Sequence, residues 1–201
     1  VWIGSYATSE VIRLDGVFGT VQERLGVPGH PYGLAIDEHG NLWLSAHDQV
    51  TYSPGHVIRV DVVKKVADLH LWGDELSSHS TYGLAADGEG GVWFATQGNA
   101  VFRIDAVTGA FGPSYDVATI TRGVAVDDRG YVWVADSASA RVVRVDRRTG
   151  ETMSVPVGDG PVGVAVDHEG NIWSVNNASS DATKVSPDGG VLATVPVGIA
   201  P

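Results

Sequence analysis

The chain has 201 residues, enough to bury a core without disulfides or metal staples, and at 43% hydrophobic and 18% charged it is globular rather than disordered. A net charge of −11, with no basic patch larger than the pairs Lys64-Lys65 and Arg147-Arg148, argues against nucleic-acid backbones and anionic membranes as partners. Cysteine is absent, which excludes thiol catalysis and zinc–thiolate sites and leaves the compartment open, and no apolar run nears the roughly 18 residues of a membrane helix.

In chain order, the first element is Val1-Trp2-Ile3-Gly4, a short β-branched and aromatic run, followed by Ile12-Arg13-Leu14-Asp15. The chain lacks an initiator Met, so it is expected to have lost a leader or to belong to something longer. From Tyr32 a unit begins that then recurs. Its first run reads Tyr32-Gly33-Leu34-Ala35-Ile36-Asp37, and its counterparts start at Tyr82, Arg122 and Val162. An acidic, glycine-ended turn follows, as in Asp37-Glu38-His39-Gly40 and Asp167-His168-Glu169-Gly170. The second run carries a tryptophan, at 43, 93, 133 and 173. The third ends in basic-aliphatic-Asp in three units, at Arg59-Val60-Asp61, Arg103-Ile104-Asp105 and Arg144-Val145-Asp146, and a weaker fourth run closes each unit.

These runs alternate with period 2 and are cut by Asp and Gly, whose side-chain bonding and positive φ suit tight turns. Four antiparallel strands in about 40 residues, repeated, predict an all-β propeller. The expected blades are a partial one at 1–29, then 30–79, 80–119, 120–159 and 160–195. Residues 196–201 are expected to supply a closing strand, because Pro196-Val197-Gly198-Ile199-Ala200 matches Pro161-Val162-Gly163-Val164-Ala165. The competing expectation is a fragment of a six- to eight-bladed ring.

The pattern Pro-x-Gly-φ-Ala-φ-Asp-x-x-Gly-Asn-φ-Trp-φ, with φ-x-Arg-φ-Asp-x-x-Thr-Gly after it, resembles the NHL-type and virginiamycin B (streptogramin) lyase-like propellers along essentially the whole chain. The resemblance implies a propeller; lyases of that family place a His/Glu catalytic constellation late in a seven-bladed ring, where this chain has only His168, in a turn. A second resemblance, to the gluconolactonase propellers, implies calcium held by Glu, Asn and Asp around the channel.

Repeat arithmetic picks out the candidate face. The loop after Trp43 and the link after Asp61 are longer than their counterparts, and both map to one rim, called the upper rim here. Insertions confined to one face mark a binding face. That rim is expected to carry His47, Tyr52, His56, Trp72 and His79. The residue before each inner-strand glycine is expected at the channel mouth, where Tyr32, Tyr82 and Arg122 suit a planar or anionic ligand. Asp136, Asn176 and Asn177 begin upper loops, where oxygens that converge would suit Ca²⁺ or another divalent ion. The expected function is a non-enzymatic scaffold binding a protein or small molecule around the second blade. The alternatives are a streptogramin-type lyase, a metal-dependent lactonase, or a structural segment of a larger secreted or surface protein or assembly.

Overall fold

A computed structural model describes residues 1–47, 55–70 and 80–198, without the side chains of residues 47 and 68–70. All of its regular elements are strands. The first sheet contains β1 (Trp2–Ser5), β2 (Glu10–Leu14) and β3 (Val21–Gly26). The second contains β4 (His30–Ile36), β5 (Leu42–His47), β6 (His56–Asp61) and β7 (Val66–His70). β8 (Thr81–Ala86), β9 (Gly91–Thr96), β10 (Ala100–Asp105) and β11 (Phe111–Asp116) make the third. β12 (Thr121–Val126), β13 (Tyr131–Asp136), β14 (Arg141–Asp146) and β15 (Thr152–Pro156) make the fourth. The last is β16 (Pro161–Val166), β17 (Ile172–Asn176), β18 (Asp181–Val185) and β19 (Val191–Pro196).

Each sheet is an antiparallel meander, and the sheets are the blades of a β-propeller. β4, β8, β12 and β16 are the inner strands, and each packs on the next in series. No packing of that extent links β16 back to β1 among the described residues.

The core lies between blades. Trp43 of the second blade packs with Leu84, Val92 and Phe94 of the third. Trp93 meets Val124, Val132 and Val145 of the fourth, and Trp133 meets Ile172 and Val185 of the fifth. Trp43, Trp93 and Trp133 are fully buried, so the repeated indoles are interblade core.

The lower rim is tied by its acidic turns. Asp37 Oδ1 accepts the N–H groups of His39 and Asn41 at 3.0 and 2.8 Å, and its Oδ2 accepts Trp43 Nε1–H at 2.9 Å. Asp127 and Asp167 hold their turns and Trp133 and Trp173 in the same way. One carboxylate thus closes a turn and satisfies an indole donor that the core would otherwise strand. The basic residue of the third strand lies over the same indole: Arg59 over Trp43 at 5.9 Å, Arg144 over Trp133 at 6.0 Å and Lys184 over Trp173 at 5.4 Å. The later turns are closed by Asp15, Asp61, Asp105 and Asp146, each accepting two backbone N–H groups of its own turn.

The third blade departs from this plan. Gly91 stands where the sister blades have Asn41, Tyr131 and Asn171. A Cβ there would overlap the Arg103 guanidinium. Without one, Arg103 reaches inward and donates from Nε to Asp87 Oδ2 at 2.7 Å. The buried Trp93 Nε1–H is then left without an acceptor.

One expectation is corrected. Pro196 pairs with Asp181 at the end of β19, as Pro156 pairs with Arg141 at the end of β15. Val197 N–H then donates to Ser180 O at 3.0 Å, just as Val157 N–H donates to Ala140 O. The motif at 195–198 therefore matches Val155-Pro156-Val157-Gly158, the exit of a fourth strand, and not Pro161-Val162-Gly163. Two Pro-Val-Gly motifs five residues apart made the registers interchangeable in the sequence. Residues 199–201 lie outside the described residues.

Candidate functional site

The site is built by a bulge repeated in every inner strand. Register shifts fall between Pro31 and Leu34, Thr81 and Leu84, Thr121 and Val124, and Pro161 and Gly163. Such bulges re-aim a side chain out of the sheet's alternation. In three of the four bulges the glycine is required by space: a Cβ on Gly33 would overlap Tyr82 O, one on Gly83 would lie 2.8 Å from Arg122 O, and one on Gly123 would lie 2.8 Å from Val164 N. Inner strands meet backbone to backbone there, which stacks the preceding residues, Tyr32, Tyr82, Arg122 and Val162, as neighbours around the channel mouth.

The structure brings three of the expected residues into one cluster. The Tyr32 and Tyr82 hydroxyls are 2.6 Å apart in a hydrogen bond, and their rings tilt together at 4.5 Å. The Arg122 guanidinium lies over the Tyr82 ring at 4.8 Å, and its Nε donates to Ser137 Oγ at 3.3 Å. Tyr6 extends the arc, edge-on to Tyr32 at 6.4 Å and stacked on His30 at 4.6 Å. The His30 ring nitrogen Nδ1 in turn bonds the Tyr6 carbonyl. Partial burial, then the bond to Tyr82, pushes the Tyr32 hydroxyl up to about 12, against the opposing pull of the Arg122 charge.

These side chains open into a cavity of about 500 Å³. Its other lining residues are Val162, from inner strand β16, and Ser137, Gly160, Asn177 and Ala178, from upper loops and links of the fourth and fifth blades. Volume and lining suit a small-molecule site with one cation and a rim of phenols. Gly160 and Ala178 escaped the sequence reading because only the fold shows that the upper loops of two successive blades lean over one inner strand.

The other expected residues are placed differently. His56 is the first residue of β6, half-buried, and its carbonyl accepts the Thr81 hydroxyl at 3.0 Å. His47 ends β5, but its side chain lies outside the described residues, as do Tyr52, Trp72 and His79 and nearly all of both insertions.

The proposed metal ligands do not converge. Asp136 is fully buried; its Oδ1 accepts the N–H groups of Thr119 and Ile120, both at 3.1 Å, and its Oδ2 accepts Arg141 Nε–H at 2.9 Å. Asn176 Oδ1 accepts the Ser174 hydroxyl at 2.8 Å, while its Nδ2 donates to Asp181 and Thr183 at 2.6 and 3.0 Å. Both oxygen sets are used inside their own blades, and an arginine already neutralises the carboxylate, so the pair fits a hard cation poorly. Asn177 instead lines the cavity. Among the described residues, no three His, Cys, Asp or Glu side chains are grouped closely enough to share a metal ion.

No protein-family model matches the sequence, and no curated protein matches it. Solved structures do match the fold. Virginiamycin B lyase from Staphylococcus aureus superposes with a TM-score of 0.79 at 14% identity, over 98% of this chain and 66% of that one. A streptogramin B lyase structure gives 0.81 at 15% identity, over 98% and 64%. U3-55K gives 0.80 at 11% identity, over 97% and 60%. The likeness is one of fold, a β-propeller, and this chain spans less than two thirds of those chains' lengths.

Proposed function

We propose that the chain is a ligand-binding propeller whose upper channel mouth takes a small planar anion. The Tyr32–Tyr82–Arg122 cluster in its cavity is the observation that supports this reading. Two phenol rings offer flat apolar area with hydroxyls at their edge. The guanidinium, held by one ring face and one serine, keeps donors for a carboxylate or sulfonate. An aromatic carboxylate satisfies both halves.

The test is calorimetric titration with benzoate and indole-3-acetate. Binding is expected for the intact protein, weakened about tenfold or more in Arg122→Ala and in Tyr82→Ala, and unchanged in Arg24→Ala, an exposed arginine on the first blade. Equal affinity in all four proteins refutes the proposal.

An enzymatic reading rests on a different observation: the streptogramin lyases share this fold, and one structure of the staphylococcal enzyme is of a catalytically inactive H270A variant with quinupristin. In that reading one of the second-blade histidines, His47, His56 or His79, supplies the base. Incubation with quinupristin and mass spectrometry of the product decides it. Turnover that survives all three His→Ala substitutions removes those residues from the mechanism; no turnover removes the activity.

A further inference from the structure

We propose a second site, on the lower rim between the third and fourth blades, that binds a small oxyanion. A cavity of about 220 Å³ there is lined by Trp93, Arg103, Arg147 and Arg148, with Asp87, Glu89 and Pro113. Its back wall is the irregular indole of this propeller. Trp93 is fully buried and its Nε1–H has no acceptor, whereas Trp43, Trp133 and Trp173 each donate to the aspartate six residues before them. A buried donor left unpaired costs about 1–3 kcal/mol, so it is a position where an incoming acceptor is rewarded.

The charges around it are arranged for an anion. Arg103 gives Nε to Asp87 and one Nη to the Glu89 carbonyl at 3.2 Å. Arg147 holds the Glu89 carboxylate, and its carbonyl is fixed by the Tyr115 hydroxyl at 3.0 Å. Arg148 is exposed and lies 4.0 Å from Asp146. Three guanidinium groups and two carboxylates thus line the cavity, with Asp146 beside the exposed Arg148 just outside it. Tyr115, stacked on Trp93 at 5.9 Å, keeps the indole plane in place. The cavity has room for phosphate, sulfate or a short carboxylate and is too small for a nucleotide. Gly91 opens the site, because a Cβ there would overlap the Arg103 guanidinium and leave it no room against Asp87.

The indole ¹H–¹⁵N resonances, assigned by Trp→Phe variants, provide the readout. Inorganic phosphate, sulfate and acetate are titrated separately at constant ionic strength. The expected result is a saturable shift of the Trp93 resonance, while that of Trp133, whose N–H is already held, stays still. Which anion binds tightest separates tetrahedral oxyanions from carboxylates. Arg148→Gln, at an exposed position, is expected to weaken binding about tenfold. Gly91→Asn is expected to abolish it and to move the Trp93 resonance of the free protein toward those of its sisters. A Trp93 resonance that does not move with any of the three anions overturns the proposal. So does a shift of the same size in Trp133, or full binding in Gly91→Asn with its urea midpoint intact.

Discussion

Replacing Asp127 by alanine tests how the lower rim holds the fold. The carboxylate is 6% exposed and accepts three hydrogen bonds, from the N–H groups of Arg129 and Tyr131 and from Trp133 Nε1, at 3.0, 2.9 and 2.9 Å. Trp133 is fully buried, so its indole donor finds no water when the carboxylate is gone. Stranding that donor costs about 1–3 kcal/mol, and each turn amide forfeits about 0.5–1.5 kcal/mol. The loss centres on about 4 kcal/mol. With a urea slope of about 2 kcal/mol per molar, the unfolding midpoint falls by about 2 M. Asp127→Asn keeps one carbonyl oxygen and is expected to lose about half as much. The measurement is urea denaturation followed by tryptophan fluorescence, with the indole N–H resonance as a local check. A midpoint change below about 0.3 M for Asp127→Ala, in a protein whose Trp133 resonance has moved, refutes the claim that this contact carries stability.

Other outcomes follow from the same geometry. In a spectrophotometric titration, Tyr82→Phe is expected to lower the Tyr32 midpoint from about 12 toward, but not to, 10, because burial remains when the bond is lost; Arg122→Ala is expected to raise it. Because that folded value lies above the ordinary one, the Tyr32 contribution to stability is full below about pH 10 and fades as pH rises through 12. At the acid end, burial pushes the Asp37, Asp87 and Asp136 carboxyls up, but the Trp43 indole, the Arg103 guanidinium and the Ile120 amide lead the donors that outweigh it and hold them low. Stability is therefore expected to stay level from pH 7 to about 5 and to fall below about pH 4, as urea midpoints across pH will show. Lys65 has φ of 58° at the turn position filled by Gly109 and Gly150 in the sister blades, so Lys65→Gly is expected to raise the midpoint by about 0.5 M in urea, net of its exposed pair with Glu23. Gly123→Ala drives a methyl into the next blade's backbone and is expected to destabilise by about 2 kcal/mol or more, whereas Gly163→Ala, with its nearest atom 3.9 Å away, is expected to stay within about 0.5 kcal/mol.

The strands and their grouping were legible because both signals are local. Period-2 runs cut by Asp and Gly mark each strand, and tryptophans 40 to 50 residues apart mark each blade after the first. That Tyr32, Tyr82 and Arg122 would stand together was legible by position: each precedes an inner-strand glycine. What stayed hidden depends on which atom of a group is engaged. The Asp-to-Trp interval of six recurs in four blades, yet nothing in it says that one carboxylate oxygen serves the turn and the other the indole. The Gly91 substitution was visible in the alignment of repeats, but its consequence needs the reach of Arg103 across the space a side chain would fill. Asp136 looked like a ligand because it opens an upper loop; its arginine is five residues on, across the hairpin.

The division between the two rims has an evolutionary consequence. The bonds that lock the acidic hairpin turns, and the indoles they anchor, gather at one end of the stack of blades, while the phenols and the guanidinium gather at the other. Drift at the loop end therefore meets little opposition from folding, so new specificities can be sampled there without rebuilding the framework beneath.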